Sequence, residues 1–321
     1  MKIDAVITWV DGDDPAHKAK RMKYASSEVL GAADKAADTR FSDLGEIFWC
    51  VASLNRFAPW LNRIYIVTDA QDPGLDEFIS SHFPTHIPME IVDHKVIYRG
   101  YEQFLPVFNS ISIETMTWRI PGLNDCFIEF NDDLMLLKPV SPEDFFTSDG
   151  SPVCYGSWSS IVLDRFTRLF KRKTGGQRMV TTKGSHMNGA ARTGARFRYL
   201  RPAHCQKALR RDFYEAYFAE HPEDLLSNIS YRFRDAEQFT PQVTQYMTLH
   251  QKGKCVVRPA DKELFFFQPK EKEGYFEKKM RRLEEFEGHF ACFNSIDLAS
   301  ESQRKELVGW VERKVDVRLH K

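Results

Sequence analysis

Asn131, Asp132 and Asp133 stand in a row between two apolar runs, 127–130 and 134–137. A strand that leaves a buried sheet and presents two adjacent carboxylates is a natural cation site. Hard divalent ions take oxygen ligands, and one or two carboxylates suffice when substrate phosphates supply the rest. Asp132 and Asp133 are therefore candidate ligands for Mg²⁺ or Mn²⁺, with an Asn-Asp-Asp hairpin turn as the plain alternative. His204, two residues after Pro202, is a side chain whose charge changes near neutral pH, which suits a general base; a lone histidine is more often a surface or satisfied core residue. In the alternating run Tyr231-Arg232-Phe233-Arg234-Asp235, Arg232 and Arg234 put two guanidinium groups on one side. Arg40 precedes a helix expected to begin near Asp43, where a cation beside a helix N-terminus serves anions; the plain reading is a solvated arginine partnered by Asp43.

The elements that must position these residues alternate. Residues 3–10, IDAVITWV, read as a buried first strand, followed by Asp11, Gly12, Asp13, Asp14 and Pro15. The loop has neither GxGxxG nor the P-loop lysine, so it is not one of those phosphate cradles. Trp9 at its edge is equally suited to stacking on a base and to the core. Residues 16–38 read as a helix followed by an insert. A helix over about 43–58 and a strand over 62–69 complete a strand–helix–strand unit, which requires a right-handed crossover and a parallel sheet. A short helix at 73–83, a strand at 89–94 and a turn and helix over 104–118 follow. Asn109 stands at the start of that last helix, either as a cap or facing a ligand. Strands ending near Asp11, Asp69 and Asp132 place acids at one expected sheet edge, where open α/β sheets bind ligands.

Beyond residue 150 the pattern is less regular. Residues 164–201 carry Arg165, Arg168, Lys171, Arg172, Lys173, Arg178 and Lys183 and the pair Gly175-Gly176. They read as a loop or lid, either a solvated face or a contact for an anionic acceptor or acidic membrane surface. A helix is expected over 207–219 and another over 239–249. Short strands are expected at 255–257 and 264–267, residues 290–295 are an apolar run ending in polar groups, and an amphipathic helix is expected over 301–321.

The 321 residues balance 45 Lys+Arg against 45 Asp+Glu, which argues against non-specific nucleic-acid binding. The six cysteines are scattered without a CxxC pair, as in reduced, buried thiols of a cytosolic protein. The N-terminus does not read as a signal peptide, and no window spans a bilayer.

The opening IDAVITWVDGDDP, the block RFSDLGEIFWCVASLNRFAPWLNRIYIVTD, and the segments FLPVFNSISIE, RIPGL and FIEFNDD follow one another in a recognisable order, continued by PAHC, YRFRDAEQF and ACFNS. In this the chain resembles the Stealth family of sugar-1-phosphate transferases, which includes bacterial capsular and exopolysaccharide phosphotransferases and the eukaryotic enzyme that places GlcNAc-1-phosphate on lysosomal proteins. The resemblance implies an α/β, Rossmann-like, GT-A-like nucleotide-sugar fold, mostly parallel and flanked by helices. Residues 1–150 would be the nucleotide-sugar-binding core. Residues 151–321, helical and basic, would carry the catalytic base and the acceptor side, packed into the same catalytic domain.

The implied reaction moves hexose-1-phosphate, such as GlcNAc-1-phosphate, from a UDP-sugar to a hydroxyl of an acceptor polysaccharide or oligosaccharide, releasing UMP, in capsule or exopolysaccharide synthesis. Asp133, with Asp132, would hold Mg²⁺ or Mn²⁺ on the diphosphate. Arg40 and Arg234 would neutralise the transferring group, with Arg232 as the alternative to Arg234, and His204 would take the hydroxyl proton. Trp9, Asp11, Gly12 and Asp14 would line the nucleotide pocket. Asn109 would face the donor sugar, and Asn294 would add a contact. Two departures stand out: Ser295 replaces an Asp usual in the last motif, and His204-Cys205-Gln206 replaces His-Met-Pro. A metal-dependent GT-A-type glycosyltransferase releasing UDP, and a non-catalytic nucleotide- or glycan-binding protein, remain the alternatives. The expected location is the cytoplasm of a bacterium, with peripheral association at the inner face of the plasma membrane or with a capsule complex left open.

Overall fold

Four apolar runs become parallel neighbours. β1 (Ile3–Thr8), β2 (Ile64–Thr68), β3 (Met89–Asp93) and β4 (Cys126–Asn131) line up in the order β3-β2-β1-β4, and β8 (Lys207–Arg210) joins β4 antiparallel at the edge. The computed structural model describes residues 1–25, 44–164, 166 and 181–318. β1 is apolar almost throughout because both faces of the sheet are covered. Ile3, Ala5 and Ile7 enter one core and Val6 the other. Each fully buried side chain of this kind contributes about 1.5–3 kcal/mol.

The first core is closed by α2 (Glu46–Phe57), α3 (Leu75–His82), α10 (Tyr275–Glu284) and α11 (Glu301–Val315). The second is closed by α5 (Ser110–Glu114), α6 (Thr182–Ala191), α7 (Arg211–Glu220), α8 (Pro222–Ile229) and α9 (Pro241–Gln251). α1 (Pro15–Tyr24) and α4 (His94–Ile97) follow β1 and β3 at the carboxyl edge. The α/β class and the mostly parallel sheet are as the sequence led us to expect.

Two small sheets tie the second half of the chain to the first. β10 (Leu264–Phe267), β11 (Phe290–Phe293) and β5 (Leu134–Leu136) form one, with β11 antiparallel to β5. β6 (Val153–Ser160) lies between β7 (Arg198–Pro202) and β9 (Val256–Arg258) in the other.

Two local expectations change. The helix expected from Lys207 begins at Arg211, because Lys207–Arg210 is taken up by pairing with β4. The stretch expected to be a loop or lid over 164–201 contains α6 and β7; Lys183 sits in α6 and pairs with Asp164 at 2.5 Å. The remaining basic residues of that stretch, from Arg165 to Arg178, lie outside the described residues, as do residues 26–43 with Arg40 and Asp43. Among the described residues no helix is long and apolar enough to cross a membrane.

Candidate active site

Register fixes where the loops emerge. Thr8 is paired with Val67 on one side and Asn131 on the other, so β2, β1 and β4 end level. Their exits bring Asp69, Asp11 and the Asp132-Asp133 turn to one edge, the edge at which open parallel sheets bind ligands.

Asp133 is the meeting point. It turns the chain from β4 into β5, and its own carbonyl accepts from the Phe293 amide at 2.9 Å. That bond extends the β5–β11 ladder by one position, beyond the Leu134–Cys292 pair. Its carboxylate Oδ2 then accepts from Asn294 Nδ2 at 3.1 Å and from Cys292 Sγ at 3.4 Å, and meets His204 Nε2 at 3.3 Å. Burial alone would raise the Asp133 pKa. The His204 ring and the hydrogen bonds from His204, Asn294 and Cys292 outweigh that and hold it below the usual carboxylate value. An ionised carboxylate only accepts, so the His204 Nε2 that faces it is a protonated nitrogen. Burial, with Asp133 adding to it, keeps Cys292 a thiol. Ser295 Oγ bonds Asn294 Oδ1 at 3.0 Å and so orients the amide that holds Asp133. Asp132 accepts the Asp133 amide at 3.1 Å.

His204 reaches this point because two ladders deliver it. β7 ends at Pro202, opposite Gly156 of β6, and the Ala203 amide bonds Tyr155 O at 2.9 Å; β8 begins three residues after His204. The ring is the exposed partner, with 44% of its side chain accessible against 16% for Asp133. The edge of the Phe266 ring, 6.3 Å away, steadies it. On α6, His186 is buried and kept neutral, its pKa lowered to about 3 by burial and then by Lys207, Arg201 and His204.

A magnesium-class ion suits one atom here. Asp133 Oδ1 is buried and has no hydrogen-bond partner, although its sister oxygen has three contacts. A bare carboxylate oxygen beside a second carboxylate is what such an ion uses when phosphates complete its shell.

The loops after β1 and β2 bound a separate cleft of about 360 Å³, lined by Trp9, Asp11, Asp14, His17, Lys20 and Asp69 among others. Trp9 is buried, with its Nε1 unpartnered. Asp11 is locked across the cleft by Gln71, whose side chain bonds its amide and carbonyl at 3.0 and 2.8 Å. Gly12 is buried in the turn. Asp14 caps α1 through the His17 amide at 2.7 Å. Lys20 pairs with Asp69 at 2.7 Å. Lys20 escaped the sequence reading because it looks like one member of a solvated helical charge run.

Asn109, Arg232 and Arg234 form a third group. Asn109 is buried; it caps α5 through the Ile111 amide and gives Nδ2 to Tyr231 O and Gln238 Oε1. Arg234 Nη2 donates to Ser110 Oγ at 2.6 Å. Arg232 donates to the carbonyls of Gln103 and Leu105 and lies 4.8 Å over the Tyr24 ring. Thus Asp133, His204 and Asn294 meet directly, Trp9, Asp11 and Asp14 share the cleft, and the arginines brace the segment beside α1 and α5. Cys292 was legible only as part of an apolar run.

Residues 1–28 match Stealth protein CR1, conserved region 1, and residues 40–154 match Stealth protein CR2, conserved region 2. The chain is 38% identical over 165 residues to the receptor polysaccharide phosphotransferase WefC of Streptococcus oralis, covering 51% of this chain and 47% of that protein. It is 42% identical over 159 residues to the exopolysaccharide phosphotransferase SCO6021 of Streptomyces coelicolor, covering 50% and 28%. It is 37% identical over 150 residues to the capsular polysaccharide phosphotransferase LcbA of Neisseria meningitidis, covering 47% and 39%. The chain thus spans about half the length, or less, of the curated relatives it matches. Among solved structures it is similar to mouse xyloside xylosyltransferase 1 in its apo form, with a TM-score of 0.45 at 10% identity over 92% of this chain and 98% of that one. It is also similar to the galactosyltransferase LgtC in complex with donor and acceptor sugar analogs, with a TM-score of 0.46 at 11% identity over 99% and 97%.

Proposed function

From a chain that carries conserved regions 1 and 2 of the Stealth proteins, we propose a transferase that moves hexose-1-phosphate from a UDP-sugar to a glycan hydroxyl and releases UMP, in the synthesis of a capsule or exopolysaccharide. The observation that carries this reading is the contact of His204 Nε2 with Asp133 Oδ2 at 3.3 Å. It joins a base to the carboxylate best placed to hold a diphosphate-bound ion.

Phosphoryl transfer depends on positioning and charge neutralisation more than on covalent help. Trp9, Asp11, Gly12 and Asp14 receive the nucleotide, with Lys20 supplying a cation at the cleft. Asp133, through Oδ1, and Asp132 would hold Mg²⁺ or Mn²⁺. That ion, when bound, screens the diphosphate charge and polarises the phosphorus. Asp133 Oδ2 holds the His204 Nε2–H, leaving Nδ1 to take the proton of the acceptor hydroxyl as its oxygen attacks the sugar-side phosphorus. The bond from that phosphorus to the bridging oxygen breaks, and UMP leaves with the electron pair. Asn294 keeps Asp133 aligned. Arg234 and Arg232 fix the 231–234 segment against α5 and α1, and Asn109 positions α5 from inside the protein instead of touching the sugar.

Incubation with UDP-GlcNAc, Mg²⁺ and an acceptor glycan, followed by identification of the released nucleotide, tests the reading. UMP supports it. UDP would mark a glycosyltransferase, and no turnover across several UDP-sugars would mark a binding protein.

A further inference from the structure

The atoms around Asp133 include two donors that magnesium does not favour. A carboxylate oxygen of Asp133, a ring nitrogen of His204 and Cys292 Sγ lie within 4.8 Å of one another. Oδ2 is 3.3 Å from Nε2 and 3.4 Å from Sγ. Zinc bonds of ~2.0–2.1 Å to oxygen and nitrogen and ~2.3 Å to sulfur, at tetrahedral angles, set neighbouring ligand atoms about 3.3–3.6 Å apart. Two of the three edges therefore already have the required length. The third edge, between His204 and Cys292, is no longer than 4.8 Å, and the His204 ring is the accessible member of the set.

The other two ligands sit on fixed backbone. Cys292 is in β11, between β10 and β5, and Asp133 is clamped by the Phe293 amide. One thiol, one imidazole and one carboxylate form a donor set for zinc-class ions, and three protein ligands leave a fourth position open on the exposed side.

We propose that Asp133, His204 and Cys292 form a site for a zinc-class divalent cation whose occupancy switches transfer off. On binding, Cys292 loses its proton to solvent. The metal takes the Nε2 lone pair of His204, and the ring proton moves to Nδ1, which can then no longer accept the proton of an attacking hydroxyl. The inhibitory half rests on the transfer reading above, whereas the binding half does not.

Cobalt(II), a zinc-class ion with a spectrum, separates the two. The purified full chain titrated with Co²⁺ is expected to show a thiolate-to-cobalt charge-transfer band and tetrahedral visible bands, both abolished by added Zn²⁺. Cys292→Ala removes the charge-transfer band. His204→Ala, on an accessible ring, weakens cobalt binding by at least ~100-fold, since even outer-shell partners are worth ~10–100-fold. Should Cys292→Ala fail to fold, His204→Ala decides the question: cobalt binding that is undiminished in that variant overturns the site. No thiolate band in the unmodified chain, or a band unchanged in Cys292→Ala, also overturns it. In excess Mg²⁺, Zn²⁺ is expected to stop UMP release over the same range in which it displaces cobalt. A zinc-loaded enzyme at full activity overturns the inhibitory half and leaves the binding result standing.

Discussion

Glu129 of β4 and Lys207 of β8 face each other as a Cα pair, and their side chains meet at 3.4 Å inside the protein. Gln242 Nε2, from α9, bonds Glu129 Oε1 at 2.6 Å and Glu114 Oε2 of α5 at 2.8 Å. Asp133 lies four residues beyond Glu129, and His204 three residues before Lys207. In an antiparallel pair these offsets run towards the same end, so this buried rung sets the register that brings the carboxylate and the imidazole together.

The rung makes folding pH-dependent. Burial and then Glu114 push Glu129 up to about 7, against the pull of Lys207 and Gln242. Tyr214 faces the same group. A folded pKa above the unfolded one means the contribution is full at low pH and is lost as pH rises through about 7. Glu129→Gln is therefore expected to melt ever higher than the unmodified chain as pH rises from about 5 to about 8. Thermal melts across that range check it, and a difference that does not change with pH would rule it out.

On the proposed reading, loss of the His204 ring should spare nucleotide binding. His204→Ala is expected to lower kcat by ~10²–10⁴-fold, while calorimetric binding of UDP changes little, because the cleft at Trp9 and Asp11 does not include this ring. Unchanged turnover would take His204 out of the base role.

Asp133→Asn keeps the shape and removes the charge. The apparent Mg²⁺ affinity in nucleotide binding is expected to fall by at least ~100-fold, beyond the loss seen for outer-shell partners. Titration of Mg²⁺ against bound UDP measures it. Metal-dependent binding that survives would move the ion elsewhere.

A methyl group far from the chemistry tests delivery of the histidine. A Cβ on Gly156 would lie 2.5 Å from Arg201 O and 3.0 Å from Pro202 Cα, both backbone atoms. Gly156→Ala is expected to cost about 1–3 kcal/mol by overpacking, and to lower kcat as well because Pro202 leads directly into His204. A variant with lower Tm but full kcat would show that β7 relaxes without moving the ring.

The parallel core and its acidic edge were legible because they rest on local signals. Each strand is an apolar run ending in an acid, and strand–helix–strand units admit one handedness. The PAHC histidine was legible through resemblance. What escaped reading was long-range. The KALRRDFYEAYF stretch has one continuous helical propensity, yet its first four residues pair with β4, and tertiary pairing overrides propensity. The Asp133–Cys292 contact joins positions 159 apart, a juxtaposition that no spacing rule encodes. Asn109 offered cap and ligand contact equally, and only burial separates them.

The stitch between the Asp133 carbonyl and the Phe293 amide divides recognisability from competence. The matched conserved regions stop at residue 154, yet the carboxylate of Asp133 is held by His204 and Asn294, fifty or more positions further on. A fragment cut after that boundary would keep both matched regions and lose the grip on its own acid. Swapping the back halves of two such proteins should therefore exchange the partners that hold this acid.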